Sequence, residues 1–282
     1  MQRCLAFESA RNTAKLKYRN TDPFFLEQLS FAGMIAIVPA AGKGTRMAGV
    51  TGGLPKELLA LGSRTVLERI IEEVRDAGLY GAVVVNSRSK TEVDEAIQKW
   101  SRTVFADFPL YVTYQEEARG LGHAVAAAMV EDDALVMVGD VVYRGGSPSE
   151  RMANLIHRGI DGCVAVEPIE EDQMHLYGIV EIDELTGSII RIMEKPQPAD
   201  TDSRWAVAGR WAFSKSVMAF LDEYCRNPDR LAAAKEINLT EIINLAIEQR
   251  MEFKAVALQP GQQRVDCGSA AEYEGAKRLR WD

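Results

Sequence analysis

The 282-residue sequence lacks the marks of several large classes of protein. Its four cysteines are far apart, with no Cys-x-x-Cys and no cysteine–histidine cluster, so we expect neither a disulfide scaffold nor a zinc site. No apolar run approaches the length of a membrane span. The net charge is −8 and the basic residues are dispersed, whereas a nucleic-acid partner requires clustered cations. We therefore expect a cytoplasmic protein with reduced thiols that binds neither membranes nor nucleic acid.

Residues 1–33 also lack a continuous apolar segment, so a secretory signal is not expected there. This N-terminal extension is compatible with disorder, with a mis-assigned start before Met34, or with a surface helix from Phe24 to Phe31. No internal repeat or low-complexity linker interrupts the rest of the chain. We therefore assign residues 34–282 to one domain.

Strand and helix patterns alternate through the first half of the chain. Buried strands are predicted at 35–38, 82–86, 110–114 and 134–138. Helical patterns occupy 66–74, the stretch from a Ser89–Glu92 capping box to about Trp100, and the stretch that begins near Gly122. After Asp140 the strand patterns have few helices between them. The sequence thus predicts an α/β protein with a Rossmann-like, doubly wound, mostly parallel but mixed sheet, elaborated in its second half.

The segment MIAIVPAAGKGTRMAGVTGGLPK, residues 34–56, contains the most informative local pattern. A buried strand passes directly into a loop with Gly42 and Gly44, and Arg46 and Lys56 follow. Glycines let backbone N–H groups approach an anion, and the two cations can neutralise its charge. Neither GxxxxGK[ST] nor G-x-G-x-x-G with a later acidic residue is present, so the pattern predicts a phosphate site of another type.

Further motifs follow this loop along the chain. They are GLGHAV at 120–125, GD at 139–140, YGIVE at 177–181, EKP at 194–196, AVAGRWAFS at 206–214, EINLTEII at 236–243 and VDCG at 265–268. Together with GxGTRM and PKE, this series resembles the sugar-phosphate nucleotidylyltransferases over about residues 34–280. Within that family it is most similar to the bacterial UTP–glucose-1-phosphate uridylyltransferases.

The resemblance implies that a sugar 1-phosphate attacks the α-phosphorus of a nucleoside triphosphate in line and expels pyrophosphate. The sugar phosphate is largely dianionic at neutral pH, since its second pKa is about 6, so no general base is required. Catalytic roles are implied for three cations that bind the phosphates: Arg46, Lys56 and Lys195. Nucleotide contacts are implied for Ala40, Ala41, Gly42, Gly44, Gln115 and Gly120.

On the sugar side, the resemblance implies contacts from Gly178, Glu194, Lys195 and Gly209. Asp140, at the carboxyl end of a predicted strand, and Asp266, in VDCG, match the family's magnesium ligands, and Mg²⁺ prefers such oxygen donors. His123 falls in the first turn of a predicted helix, where packing or capping is favoured over acid–base catalysis.

Several departures from the family pattern keep alternatives open. The loop has extra glycines at Gly49 and Gly52, and Gly139 replaces the proline that usual uridylyltransferases carry before the first aspartate. This glycine is shared with glucose-1-phosphate thymidylyltransferases and N-acetylglucosamine-1-phosphate uridylyltransferases, which stay as alternatives. A catalytically silent protein that binds nucleotide and sugar phosphate is a further one. Whether the chain forms a homo-oligomer is left open.

Overall fold

A computed structural model describes residues 33–47, 49, 51–233 and 236–281. The extension predicted at 1–33 lies, apart from Gly33, outside the described residues, as does Cys4. The strands of the described segments are β1 (Ile35–Pro39), β2 (Ala60–Leu61), β3 (Arg64–Thr65), β4 (Ala82–Asn86), β5 (Leu110–Tyr114), β6 (Ala134–Met137), β7 (Val141–Arg144), β8 (Gly162–Pro168), β9 (Gly178–Ile182), β10 (Ile189–Glu194), β11 (Trp205–Phe213), β12 (Phe253–Ala257) and β13 (Gln263–Asp266).

The same segments also form α-helices. They are α1 (Val66–Asp76), α2 (Thr91–Trp100), α3 (Leu121–Ala127), α4 (Ser149–His157), α5 (Lys215–Arg226), α6 (Pro228–Ala233), α7 (Leu239–Glu248) and α8 (Ala270–Lys277). None of the helices in the described segments has both the length and the apolarity that crossing a bilayer demands.

The first half of the chain builds the parallel part of the sheet, as predicted. Strands β6, β1, β4 and β5 lie side by side in that order, and each pair is parallel. Side chains of β1 alternate between two apolar cores, with Ile35 and Ile37 on one face and Ala36 and Val38 on the other. Burial on both faces explains why these strands are continuous apolar runs. It also shows that the sheet is covered on both sides, as a doubly wound fold requires.

The second half adds antiparallel strands and makes the sheet mixed, which was also predicted. Strand β11 pairs antiparallel with β6, β8 and β9, and β10 pairs antiparallel with β9. The register of β11 against β8 shifts between Val207 and Trp211. Gly209 lies inside this shift with φ +77, and a Cβ there would stand 3.1 Å from Val138 Cγ2. The glycine thus lets β11 pass close to the loop that follows β6.

A separate antiparallel ribbon joins β7 to β13. Its register places Asp266 opposite Val141, and the Cys267 N–H donates to Asp140 O at 2.7 Å. Two segments far apart in sequence are therefore held together beside the carboxyl edge of the parallel strands.

A buried ion pair contacts this ribbon at the start of β7. Arg210, with no exposed surface, donates to both carboxylate oxygens of Glu73 on α1, at 3.0 and 2.7 Å, and to Val141 O at 2.8 Å. Breaking such a buried pair from one side costs about 3–5 kcal/mol. The pair therefore ties β11 and α1 to the start of β7.

Two helix starts differ in their caps, and the capping box predicted at Ser89 was wrong. The Ser269 hydroxyl accepts from the Glu272 N–H at the start of α8, as a cap does. By contrast, α2 begins after Lys90 and has no side-chain cap, because the Ser89 hydroxyl bonds to the Ser87 hydroxyl at 2.9 Å. A local turn of the kind that serine favours has replaced the predicted capping box.

Candidate active site

The glycine loop predicted to bind phosphate lies directly after β1. The Ala40 N–H still donates to Val85 O of β4, at 2.8 Å, so the loop leaves the sheet only after Ala40. Ala40 and Ala41 are buried, whereas Gly42 is exposed. Gly44 has φ +63, a conformation that favours glycine, and its carbonyl accepts from the Met47 N–H that closes a short 3-10 turn.

Lys56 reaches back to this loop from another 3-10 turn, Lys56–Leu58. A Cβ added at Gly44 would stand 3.9 Å from Lys56 Cδ, so the lysine stem lies beside the loop. Its ammonium Nζ is 2.6 Å from Asp140 Oδ2, and both side chains are mostly buried. The sequence predicts a phosphate contact for Lys56, and the family resemblance implies a metal contact for Asp140. The structure brings these two residues into direct contact.

Just before Asp140, the backbone after β6 runs very close to the end of β1. Gly139 donates its N–H to Pro39 O at 3.2 Å, and a Cβ at Gly139 would stand 2.6 Å from that oxygen. A side chain there would force β6 and β1 apart. This crowding gives a physical reason for the glycine that departs from the usual uridylyltransferase pattern.

Asp266 faces the same place from β13. A Cβ at Gly268 would lie 2.9 Å from Asp140 Oδ2 and 3.6 Å from Arg46 Nη2, so the VDCG turn, Asp140 and Arg46 converge. Burial raises the pKa of the Asp266 carboxyl, as do the charges of Glu272 and Asp140, whereas Arg264 and Arg46 lower it. The two aspartates thus interact electrostatically.

This pair of carboxylates fits a hard divalent cation that takes its other ligands from water and phosphate oxygens. Within the described segments, no group of three or more histidine, cysteine or carboxylate side chains forms a complete protein cage. A cation such as Mg²⁺, which keeps several waters and bridges substrate phosphates, matches a two-carboxylate site. Each aspartate has a cationic partner in this structure, Lys56 for Asp140 and Arg264 for Asp266.

A cleft of about 570 Å³ extends from the glycine loop towards the end of β5. Among the residues predicted to bind nucleotide or phosphate, its walls include Ala41, Gly44, Lys56 and Gln115. The cleft therefore joins the predicted phosphate and base contacts in one space. The residues predicted for the sugar side lie outside its walls.

At the base end of the cleft, Gln115 follows β5 and is only 7% exposed. Its Nε2 is 3.0 Å from Gly120 O and 3.0 Å from His123 Nδ1. Gly120 precedes α3 with φ +92, and a Cβ there would stand 2.6 Å from Ile237 O. The structure therefore brings Gln115 and Gly120 together, and His123 bonds to Gln115 rather than capping the helix.

Of the residues predicted on the sugar side, all except Gly209 lie near one another. Gly178 pairs across the strands with Glu194, and a Cβ on the glycine would stand 3.5 Å from Glu194 Oε2. Glu194 accepts from Thr240 Oγ1 at 3.3 Å. Lys195 is exposed with φ +50, and its N–H donates to Tyr177 O at 3.0 Å.

Two residues near the site were not predicted from the sequence, because each of them binds a glutamate that is distant in sequence. Arg264, 8% exposed, binds Glu167 at 2.7 Å and Asp266 at 3.2 Å, and its guanidinium lies 4.4 Å from the centre of the Tyr177 ring. It links the aspartate pair to the sugar side. The one available signal was its spacing of two from Asp266, which puts both side chains on one face of a strand.

Lys90 is the second. Its Nζ is 2.7 Å from Ala40 O and 3.0 Å from both oxygens of Glu57, the buried glutamate of the PKE motif. Burial raises the pKa of Glu57, and the Lys90 and Lys56 charges oppose this rise. Lys90 thereby fastens the glycine loop to the segment that carries Lys56.

Comparison with known proteins agrees with this arrangement. Residues 35–278 match the family model described as nucleotidyl transferase. The UTP–glucose-1-phosphate uridylyltransferase of Bacillus subtilis (strain 168) is 29% identical over 249 residues, which cover 77% of this chain and 82% of that protein. The enzyme of the same name from Haemophilus ducreyi is 27% identical over 274 residues, covering 85% of this chain and 90% of that protein.

Solved structures show the same likeness. The crystal structure of UDP-glucose pyrophosphorylase complexed with UDP-glucose superposes with a TM-score of 0.74 at 25% identity, covering 87% of this chain and 97% of that chain. UTP-bound UGPase from Acinetobacter baumannii superposes with a TM-score of 0.72 at 25% identity, covering 87% and 92% of the two chains.

Proposed function

The chain belongs to the nucleotidyl transferase family, and we propose that it transfers the uridylyl group of UTP to glucose 1-phosphate, giving UDP-glucose and pyrophosphate. One observation carries this proposal. At one edge of the parallel strands, the glycine loop, the Lys56–Asp140 pair and Gln115 line or adjoin a single cleft. The names of the relatives, with UTP or UDP-glucose bound in two of the solved structures, supply the choice of base and sugar.

In the proposed reaction, an oxygen of glucose 1-phosphate forms a bond to the α-phosphorus of UTP. The bond from that phosphorus to the bridging oxygen breaks, and its electrons leave with pyrophosphate. The attacking phosphate is already largely dianionic at neutral pH, with a second pKa of about 6, so no protein base has to remove a proton. What the protein must supply is alignment and charge stabilisation.

Arg46 and Lys56 are the cations that we assign to the triphosphate. Arg46, exposed beside the glycine loop, is suited to the outer phosphates and the departing pyrophosphate. Lys56 lies beside the loop, and we assign it to the α-phosphate. Asp140 holds the Lys56 ammonium in place until a phosphate competes for it. Gly42 and Gly44 leave backbone N–H groups accessible to the phosphates.

Asp140 and Asp266 are the residues that would hold a magnesium ion. When bound, such an ion neutralises charge on phosphate oxygens and so favours attack at the α-phosphorus. Arg264 orients the Asp266 carboxylate through its bond at 3.2 Å. Burial raises the pKa of Asp266, and the guanidinium opposes that rise, which favours the ionised carboxylate.

On the acceptor side, we assign Glu194 to sugar hydroxyls and Lys195 to the sugar phosphate. Gly178 leaves open the space beside the Glu194 carboxylate, since a methyl group there would touch it. Gly209 serves differently, because its missing side chain lets β11 approach the loop before Asp140. We place the reaction in the cytoplasm, with small anionic molecules as the substrates.

A grid of nucleotides against sugar 1-phosphates tests the proposal, with pyrophosphate release as the measurement in the presence of Mg²⁺. We expect kcat/KM to be highest for UTP with glucose 1-phosphate, lower for dTTP, and poor for ATP and GTP. A maximum with dTTP, or with N-acetylglucosamine 1-phosphate, would instead identify one of the alternative activities. Binding without turnover of any pair would identify a silent binding protein. The Asp140→Asn variant, purified in parallel, controls for contaminating activity.

A further inference from the structure

The amide of Gln115 has a fixed orientation in the cleft. A carbonyl oxygen only accepts hydrogen bonds, so the amide atom 3.0 Å from Gly120 O must be the nitrogen. The same nitrogen is 3.0 Å from His123 Nδ1, which takes the second amide hydrogen. Both N–H groups of Gln115 are therefore committed within the protein.

The amide oxygen of Gln115 stays available to a ligand. Among the described residues, no hydrogen-bond donor contacts Oε1. This oxygen also does not belong to the side-chain atoms that are buried without a hydrogen-bond partner. Gln115 itself lines the cleft. The side chain consequently offers the cleft an acceptor and no donor.

This orientation depends on the protonation state of His123. Nδ1 must be unprotonated to accept from the Gln115 amide, which fixes a neutral ring with its hydrogen on Nε2. Partial burial lowers the pKa of His123, as does the charge of Arg119, whereas Glu117 raises it. These surroundings favour the neutral ring at pH 7.

An acceptor-only amide distinguishes the pyrimidines by chemistry. Uracil presents an N3–H donor between two carbonyls, whereas cytosine presents an unprotonated N3 beside an amino group. An amide oxygen facing N3 therefore accepts from uracil and opposes the lone pair of cytosine. If the amide were reversed, the preference would reverse as well.

We propose that His123 is a positioning residue for base selection. It does not touch the nucleotide but holds the Gln115 amide so that its oxygen faces the base. This inference rests on the proposed function, because it assumes that Gln115 contacts the base of the triphosphate. It adds that a residue in the first turn of α3 sets the discrimination between UTP and CTP. That residue, His123, acts through its hydrogen bond to Gln115, which contacts the base.

The test compares the ratio of kcat/KM for UTP to that for CTP in His123→Leu and His123→Asn. Leucine fills the space without an acceptor, whereas asparagine can place an amide oxygen where Nδ1 was. We expect His123→Leu to lower the ratio about fivefold or more, the effect of one neutral hydrogen bond, and His123→Asn to restore most of it. The matched control is His157→Leu, an exposed histidine at the end of α4, which should keep the wild-type ratio.

A pH profile and a spectrum provide independent readouts. The UTP-to-CTP ratio of the wild type should fall as pH drops through the His123 pKa and stay flat in His123→Leu. Nitrogen NMR of the wild type, whose sequence has only three histidines, should show one ring with an unprotonated Nδ1 hydrogen-bonded in this way. That measurement stands even if His123→Leu does not fold.

The outcomes separate the two proposals. If the wild type does not use UTP, the proposed function fails and this inference fails with it. If the wild type prefers UTP over CTP but His123→Leu keeps the full ratio, only the role of His123 is overturned. A His123 ring protonated on Nδ1 at neutral pH would also overturn it.

Discussion

The buried pair between Lys90 and Glu57 yields a quantitative prediction. Lys90→Met removes the ammonium that lies 3.0 Å from both carboxylate oxygens of Glu57, which is 1% exposed. Breaking a buried pair from one side costs about 3–5 kcal/mol of unfolding free energy. Glu57 can limit that loss by taking up a proton. Protonating a carboxyl of ordinary pKa 4.5 at pH 7 costs about 3.4 kcal/mol, at about 1.36 kcal/mol per pH unit.

The sign of the pH dependence follows from that proton. Burial already raises the pKa of Glu57 above its value in the unfolded chain, and removing Lys90 raises it further. The folded state then binds more protons than the unfolded state, so stability decreases as pH rises towards the folded pKa. The deficit of Lys90→Met against the wild type should therefore shrink between pH 7 and pH 5.5, by at most about 2 kcal/mol, the effect of one whole additional proton.

Urea unfolding of both proteins at the two pH values measures this change. Lys99→Met, at an exposed lysine on the helix that follows Lys90, is the matched control and should stay within about 0.5 kcal/mol of the wild type. Adding Glu57→Gln to Lys90→Met should abolish the extra pH dependence, because neither position of the pair then carries a titrating group. A pH-independent deficit, or one below about 1 kcal/mol at pH 7, would refute the assignment of this pair as a buried electrostatic contact.

The remaining predictions concern turnover and backbone fit. Asp140→Asn and Asp266→Asn should each lower kcat at least about 10²-fold in assays of pyrophosphate release, because each removes charge that would hold the cation. Full activity of both variants in excess chelator would contradict this. Lys56→Ala should mainly lower kcat, whereas Lys195→Ala should mainly raise KM for the sugar phosphate, so the same pattern in both would contradict the division of roles. Gly120→Ala should lower the free energy of unfolding, measured in urea, by about 1–3 kcal/mol, because φ is +92 and a Cβ would stand 2.5 Å from the nearest side-chain atom. An unchanged midpoint of urea unfolding would contradict it.

Local patterns were enough to predict the parallel part of the sheet and the position of Asp140 at the end of one of its strands. Strand β1 is a β-branched apolar run because it is buried on both faces, and that property is visible in the sequence. Asp140 could be placed at the edge of the sheet because it directly follows such a run. The same reasoning failed at Ser89, where a bond to the neighbouring Ser87 hydroxyl outcompeted the predicted cap.

Contacts between distant segments could not be predicted from the residues themselves. The pairing of Lys56 with Asp140 depends on how the PKE turn packs against the end of β6, and sequence spacing carries no information about that packing. Likewise, Asp266 meets Asp140 only because β13 pairs with β7 in one register. A one-residue slip would turn Asp266 to the other face of the ribbon. Resemblance to a family pointed to both aspartates, but the register explains why they meet.

The Lys56–Asp140 contact also bears on how an acidic chain can bind two anionic substrates. With a net charge of −8, the protein's overall field opposes phosphate binding, so local cations must overcome it. Under the proposed function, a phosphate that attracts Lys56 takes the counter-ion away from Asp140 Oδ2. The uncovered carboxylate is then a better ligand for a divalent cation. Since linkage between two bound species is reciprocal, a cation on Asp140 would equally release Lys56 towards the phosphate. Under the proposed function, one carboxylate oxygen would thus couple nucleotide binding to cation binding, whichever of the two arrives first.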